Sequence, residues 1–163
     1  MEDQSKTKKQ LINELIELRQ RIVELENGKE ALQRGEDWYH LFIKHSQGIA
    51  YLGHMDWTPI FFDGAAEAIT GYTADAFMTG KPRWDQLTYP EDWPRIEELA
   101  EKIRLIPRCS VEQEYRIIHR DGQVRWIHEM IQNVCDSAGK PNWVQGMIYD
   151  ITEHKQAEEA TRL

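Results

Sequence analysis

The spacing of apolar residues changes period along the chain. Leu11, Leu18, Leu25 and Leu32 recur every seven residues, with Leu15 and Ile22 in the alternate position. This is a helical seam of four heptads, flanked by Glu14, Glu17, Arg19, Arg21, Glu24 and Glu26. Lys29 takes one apolar slot, and Asn27-Gly28 weakens the helix near its end. The stripe is narrow, which favours a parallel two-stranded coiled coil over a single helix lying on a domain. From Trp38 one further helical stretch, WYHLFIKHS, leads into two short β-type runs, GIAYLGHM and TPIFF, which form an antiparallel hairpin. Short helical pieces follow, GAAEAIT, TADAFM and RWDQL, punctuated by Gly71, Gly80 and Pro82. A longer helix opens at Pro90, PEDWPRIEELAEKIR, acidic in its first turn and basic in its last, in agreement with the helix dipole. Three period-two runs close the pattern, EYRIIHR, QVRWIHEMIQNVC and PNWVQGMIYDIT. Asp121-Gly122 and the looser Ser137–Pro141 segment supply the turns. The last run continues directly into the charged helix EHKQAEEATRL.

Composition narrows the function classes. With 163 residues, of which 40 % are apolar or aromatic, the chain can build one domain with extensions and a hydrophobic core. A net charge of −8 and the lack of a basic stripe argue against nucleic acid as a partner. No apolar run is long enough to span a bilayer, and the polar start MEDQSKTKKQ has no signal-peptide core, so a cytoplasmic protein without membrane contact is expected. Cys109 and Cys135 form no CxxC pair and are expected to be reduced, buried thiols.

In order and spacing, FFDGAAEAITGY, YPEDWPRI, EYRIIHRDGQVRWI and GMIYDITE resemble the PAS sensory domains, in particular the subgroup carrying the PAC motif. The likeness covers roughly residues 36 to 155, with Asp63 where the family usually has Asn and Tyr89 where His is common. It implies an α+β fold: a five-stranded antiparallel sheet with short helices on one face enclosing a ligand pocket. The resulting organisation is an N-terminal helix over residues 1–35, a PAS domain over 36–152 and the start of an exit helix over 153–163.

The register implied by the resemblance turns Tyr115, Ile117, Ile127, Glu129, Ile131, Val144, Gly146 and Ile148 toward the helices. Tyr115, Ile117, Ile127, Glu129 and Ile148 are the pocket-lining candidates. Glu129 is the sharpest, because a buried carboxylate needs an arginine, water or a ligand donor. Phe77, Trp84 and Trp93 are expected with Tyr115 in or near the helical layer. The opposite face carries Val124, Trp126, His128, Met130, Trp143, Met147, Tyr149 and Ile151, too apolar to stay in water. The helix near Trp38–Ile43 or a second subunit is the expected cover. Asp150 and Thr152, with Trp126 and Trp143, are the signal-relay candidates. Thr152 is expected to cap the exit helix, and Asp150 to pair with a cation on a neighbouring strand.

No catalytic or metal site is expected. The six histidines form no ligand spacing, and no glycine-rich phosphate loop or nucleophile elbow is present. Haem-binding relatives usually ligate iron through a histidine of the long helix, and residues Asp92–Arg104 contain none. Relatives with covalent flavin photochemistry carry a reactive cysteine in a GxNCRFLQ-type helix, whereas WDQLTYP has none. His154 lacks the proline that follows a kinase phosphoacceptor histidine. The cofactor therefore stays unspecified. The expected role is a sensory domain of a kinase or cyclic-dinucleotide enzyme, homodimeric, with its effector in cis and a small molecule as a further partner. A stand-alone dimerisation module is the alternative.

Overall fold

The structure, a computed structural model, describes residues 7–162, except for the side chains of residues 35, 36 and 38–45. The chain divides into two compact units, residues 1–42 and 43–163. One long helix, α1 (Lys8–Ser46), supplies the first unit and its last residues enter the second. Asn27-Gly28 does not interrupt it, since an exposed glycine costs a helix only about 1 kcal/mol. The seam residues Leu11, Leu15, Leu18, Ile22, Leu25 and Leu32 are 47 to 74 % exposed.

The second unit holds a five-stranded antiparallel sheet built from β1 (Ile49–His54), β2 (Pro59–Gly64), β3 (Ser110–Ile118), β4 (Val124–Cys135) and β5 (Pro141–Asp150), in the order β2-β1-β5-β4-β3. Helices α2 (Ala66–Thr70), α3 (Ala74–Met78), α4 (Trp84–Leu87) and α5 (Trp93–Leu105) connect β2 to β3, and α6 (Thr152–Thr161) follows β5. The predicted order of strands and helices and the α+β class agree with this architecture. Both turns of the last three strands rely on glycine at positive φ, Gly122 at 89° and Gly139 at 78°.

The starts of α5 and β3 differ from expectation. The helix expected from Pro90 is split into a 3₁₀ turn, Pro90–Asp92, and α5. Pro94 sits in the first turn of α5, where its missing N–H costs no hydrogen bond, so α5 opens next to it. β3 begins at Ser110 rather than Glu114, because Ser110 to Gln113 pair in register with Gln132 to Glu129 of β4.

The core lies between the sheet and the short helices. Ile49, Ile69, Phe77, Leu87, Tyr115, Ile117, Ile127 and Ile148 form its main cluster, and Ile103, Ile131 and Val144 a second at the end of α5. Phe77 stacks on Phe62 with centroids 4.7 Å apart and lies 5.6 Å from Trp84. Trp93, expected near this layer, is instead 38 % exposed at the start of α5.

Polar contacts fasten α5 to the sheet at both ends. At its start, Asp92 accepts from the Arg116 backbone N–H (2.9 Å), Nε (3.0 Å) and Nη2 (2.7 Å), while Tyr89 N–H donates to the Arg116 carbonyl. The segment from Thr88 to Asp92 thereby lies along the free edge of β3 and shields it from further pairing. At its end, Asn133 Nδ2 donates to the carbonyls of Ile103 (2.6 Å) and Ile106 (2.7 Å), satisfying acceptors that the helix terminus leaves open.

The Arg116 guanidinium holds the Asp92 carboxyl below the usual carboxylate range. Its stabilisation is complete above the unfolded-state pKa and is lost as pH falls through the lower folded-state value. Asp92→Asn is therefore expected to cost about 2 to 3 kcal/mol at neutral pH. Urea unfolding of both proteins across the acid range should show the gap closing as pH falls.

Candidate functional site

Glu129 sits mid-way along β4, 6 % exposed, at the centre of the helix-covered face. Register places Gln113 of β3 on one side of it and Ile148 of β5 on the other. Its Oε2 accepts from Gln113 Nε2 (2.9 Å) and Tyr115 Oη (3.0 Å), and its Oε1 from Tyr51 Oη (2.6 Å). Tyr115 Oη in turn accepts from Trp84 Nε1 at 2.7 Å. One hydrogen-bonded chain thus runs from α4 through β3 to β4 and across to β1.

The reach of Tyr51 depends on an absent side chain. Tyr51 of β1 pairs with Gly146 of β5, and its ring crosses that glycine to meet Glu129 on the next strand. A Cβ on Gly146 would stand 2.6 Å from Tyr51 Oη and 2.5 Å from the Met130 carbonyl oxygen. Only glycine leaves this passage open.

Burial pushes the Glu129 carboxyl upward, and hydrogen bonds from Tyr51, Gln113 and Tyr115 oppose that shift. Burial together with the neighbouring carboxylate raises Tyr51 and Tyr115 well above the ordinary phenol range, so both stay protonated as donors. Glu129 thus meets its desolvation cost through two phenols and an amide, a set outside the three alternatives of arginine, water or ligand donor. Gln113 Oε1, also buried, has no hydrogen-bond partner.

Ile117 and Ile127 are buried in the same cluster as Tyr115 and Ile148, so four of the five pocket-lining candidates share one apolar cluster, which Glu129 meets through the Tyr115 hydroxyl and opposite Ile148. Trp126 and Trp143 both lie on the opposite face but far apart. Trp126 is opposite Arg116 of β3, whereas Trp143 is opposite Val134 and His54 at the other end of the sheet. Trp126, Asp150 and Thr152 meet where β5 runs into α6.

At that junction Thr152 is not the helix cap. Ile151 occupies the cap position without a side-chain bond, and Thr152 is the first helical residue. Its Oγ1 accepts from the Trp126 backbone N–H (2.9 Å) and donates to Asp150 Oδ1 (2.5 Å), which also accepts from Thr152 N–H (2.9 Å). The hydroxyl faces β4 instead of its own helix because Ile151 N–H is bonded to the Trp126 carbonyl, drawing the helix start against that strand. Asp150 Oδ2 has the expected cation on a neighbouring strand, Arg125 Nη1, at 3.4 Å. One turn on, Lys155 is paired with Glu114 and lies 5.2 Å above the Trp126 ring, with Arg116 at 5.5 Å from the same ring. The Lys155 ammonium lowers the Glu114 carboxyl. Helix α6 is thus fastened to both β3 and β4.

Sequence reasoning missed Tyr51, Gln113, Asp92 and Arg116. The alternation of β1 and β3 assigns the faces of Tyr51 and Gln113, and YPED marks Asp92, but no local signal names their partners. Among the described residues, no group of three or more His, Cys, Asp or Glu side chains could hold a metal ion. No helix among them is long and apolar enough to cross a membrane.

The profile of the PAS fold matches residues 59–148, from the start of β2 to the Ile148 that faces Glu129. The chain belongs to the PAS fold family. PAS domains are sensory modules rather than catalysts. Similar relatives include the methyl sulfide methyltransferase-associated sensor of Methanosarcina acetivorans, 28 % identical over 62 % of this chain and 10 % of that protein. Another is the blue-light-activated histidine kinase of Brucella anthropi, 28 % identical over 85 % of this chain and 28 % of the kinase. The chain therefore spans only a minor part of these relatives. Among solved structures, a sensory box histidine kinase/response regulator from Burkholderia thailandensis shares the fold with a TM-score of 0.61, at 23 % identity over 76 % of this chain and 92 % of that one. The N-terminal domain of a diguanylate cyclase with PAS/PAC sensor from Marinobacter aquaeolei does so with a TM-score of 0.58, at 21 % identity over 66 % of this chain and 98 % of the other.

Removing one donor from Glu129 destabilises its charged form and raises its pKa further. Tyr51→Phe is expected to lose about 1.5 to 3 kcal/mol at pH values where Glu129 is ionised. The deficit exists only where the carboxyl is ionised, so it should shrink as pH falls through the folded-state pKa of Glu129. Chemical unfolding of wild type and variant from neutral to acid pH reads this; a deficit independent of pH would assign it to packing alone.

Proposed function

We propose that this PAS domain is the sensory segment of a signal-transduction protein, a histidine kinase or a cyclic-dinucleotide enzyme, and that it relays signals to α6 within a homodimer. The anchorage of α6 carries this reading. The helix is held by the Trp126 backbone N–H of β4, the Asp150 carboxylate of β5 and the Glu114 carboxylate of β3, so a change in strand register or twist is felt in its first turn. The carboxylate at the sheet centre supplies the input side: Glu129 joins three strands, and Tyr115 extends its hydrogen bonds to Trp84 of α4. A small molecule with hydrogen-bond donors would compete for the Glu129 carboxylate and could satisfy Gln113 Oε1. The relatives that are kinases or sensors support an effector in cis.

Two features support the dimer. The α1 seam exposes leucines at heptad spacing along a helix of about 58 Å, the length of 39 residues at 1.5 Å each. The outer sheet face exposes Val124 (43 %), Met130 (38 %) and Trp143 (42 %). A second copy pairing through the seam, with the outer faces also covered, buries both. The side chains of Trp38–Ile43, the other expected cover, lie outside the described residues.

Thr152→Val removes the hydroxyl that joins α6 to β4 while keeping the side-chain shape. Amide exchange in the first turn of α6 should rise about tenfold, as expected for losing a bond worth about 1.4 kcal/mol, with exchange around Glu129 unchanged. In a full-length parent the same variant should alter output; unaltered output from a folded protein would refute the relay. Sedimentation at tens of micromolar should give a dimer that Leu18→Glu dissociates, and a monomeric wild type would remove the dimer from the proposal. Native mass spectrometry and ultraviolet–visible spectra of freshly purified protein should reveal a bound small molecule that Glu129→Gln loses.

A further inference from the structure

The two cysteines are neither buried nor apart. Both are half-buried and free, and both line a cleft of about 420 Å³ between the start of β3 and the β4–β5 turn. Expectation placed them in the core because free cysteine behaves as a small hydrophobe. The fold puts Cys109 at the margin of the Ile103, Ile131 and Val144 cluster and both cysteines on the cleft at one end of the sheet.

Their proximity follows from register. Ser110 pairs with Gln132, so Cys109 lies opposite Asn133, with the Asn133 N–H donating to the Cys109 carbonyl at 3.1 Å. Cys135, two residues beyond Asn133, points to the same face. Cys109 N–H donates to Asn133 Oδ1 at 3.2 Å, and Cys135 Sγ lies 3.9 Å from that same oxygen. The two residues are therefore diagonal cross-strand neighbours, a relation with Cα atoms roughly 7 to 8 Å apart. A disulfide needs less than about 7 Å, so closure requires a small approach of the chains. Cys109 stands just outside the β3 ladder after Arg108, whose φ of 56° bends the chain into the strand, so the approach is made against its two hydrogen bonds to Asn133.

We propose that Cys109 and Cys135 form a thiol-oxidation site that takes a small hydroperoxide as its oxidant and closes to an intramolecular disulfide. One thiolate attacks the distal oxygen of the hydroperoxide; the S–O bond forms, the O–O bond breaks, and the alkoxide or hydroxide leaves as alcohol or water after taking a proton. The second sulfur attacks the sulfenic sulfur, forming S–S and releasing water with the remaining thiol proton. Two thiols are oxidised by two electrons and one hydroperoxide is reduced. A neighbouring resolving thiol is what separates a reversible site from over-oxidation. The cleft admits the oxidant, and Asn133 gives the reaction a mechanical consequence. The amide that both cysteines approach also holds the Ile103 and Ile106 carbonyls, so drawing the sulfurs together pulls on the end of α5.

The test uses the whole chain, reduced, desalted, exposed to hydrogen peroxide, blocked with iodoacetamide and digested with trypsin. Free thiols should fall from two per chain to none, and peptide Cys109–Arg116 should appear joined to Trp126–Lys155, reversibly with dithiothreitol. Amide exchange at Ile103–Ile106 should change on oxidation and recover on reduction. Full alkylation of both thiols after peroxide, or a sulfinic acid at one cysteine without the cross-link, would overturn the proposal. A cross-link joining labelled to unlabelled chains would overturn it as well.

Discussion

The sheet is organised around one constraint: a carboxylate buried at its centre must be given donors by the protein itself. An unpaired ionised carboxyl in such a place costs many kcal/mol, which is why Glu129 draws partners from both flanks. Gln113 and Tyr115 come from the adjacent strand, Tyr51 from two strands away. Each partner imposes its own requirement. Tyr51 needs Gly146 to stay bare, and Tyr115 is held by Trp84, which joins the Phe62 and Phe77 stack. The helices are thus positioned by polar contacts as well as by the apolar core.

The same logic recurs at the periphery. Asp92 with Arg116 secures the start of α5 at the sheet edge, and Asn133 secures its end. Asp150 and Thr152 secure α6 to β4. Trp126 lies between two cations, one held by Asp92 at the α5 end and the other belonging to α6. The helix-covered face and the exit helix are therefore connected through β3 and β4 by contacts a few ångströms long.

Much of the architecture was legible because it is written in local periods. Alternation marked the strands, Asp121-Gly122 and Gly139 marked their turns, and heptads marked α1. The errors share a cause. Thr152 looks like a cap because threonine before a charged helix usually is one, yet its hydroxyl was claimed by a strand 26 residues earlier. The helix at Pro90 looks continuous because its dipole pattern is sound, yet α5 opens beside Pro94 while the Asp92 side chain is held by Arg116 across 24 residues. Cys109 and Cys135 look like core residues because type predicts burial better than position does.

The sequence by itself determined the order of elements, which residues of each strand share a face and, once the resemblance to the PAS domains had set the covered face, the need of Glu129 for partners, since backbone periodicity and the cost of burying charge are local properties. Tertiary structure alone decided who the partners are. Tyr51 lies 78 residues from Glu129, and it arrives because β1 pairs with β5 in a register that sets it over Gly146. Register is a relation between strands, fixed by the packing of the whole sheet, and no window of neighbouring residues contains it.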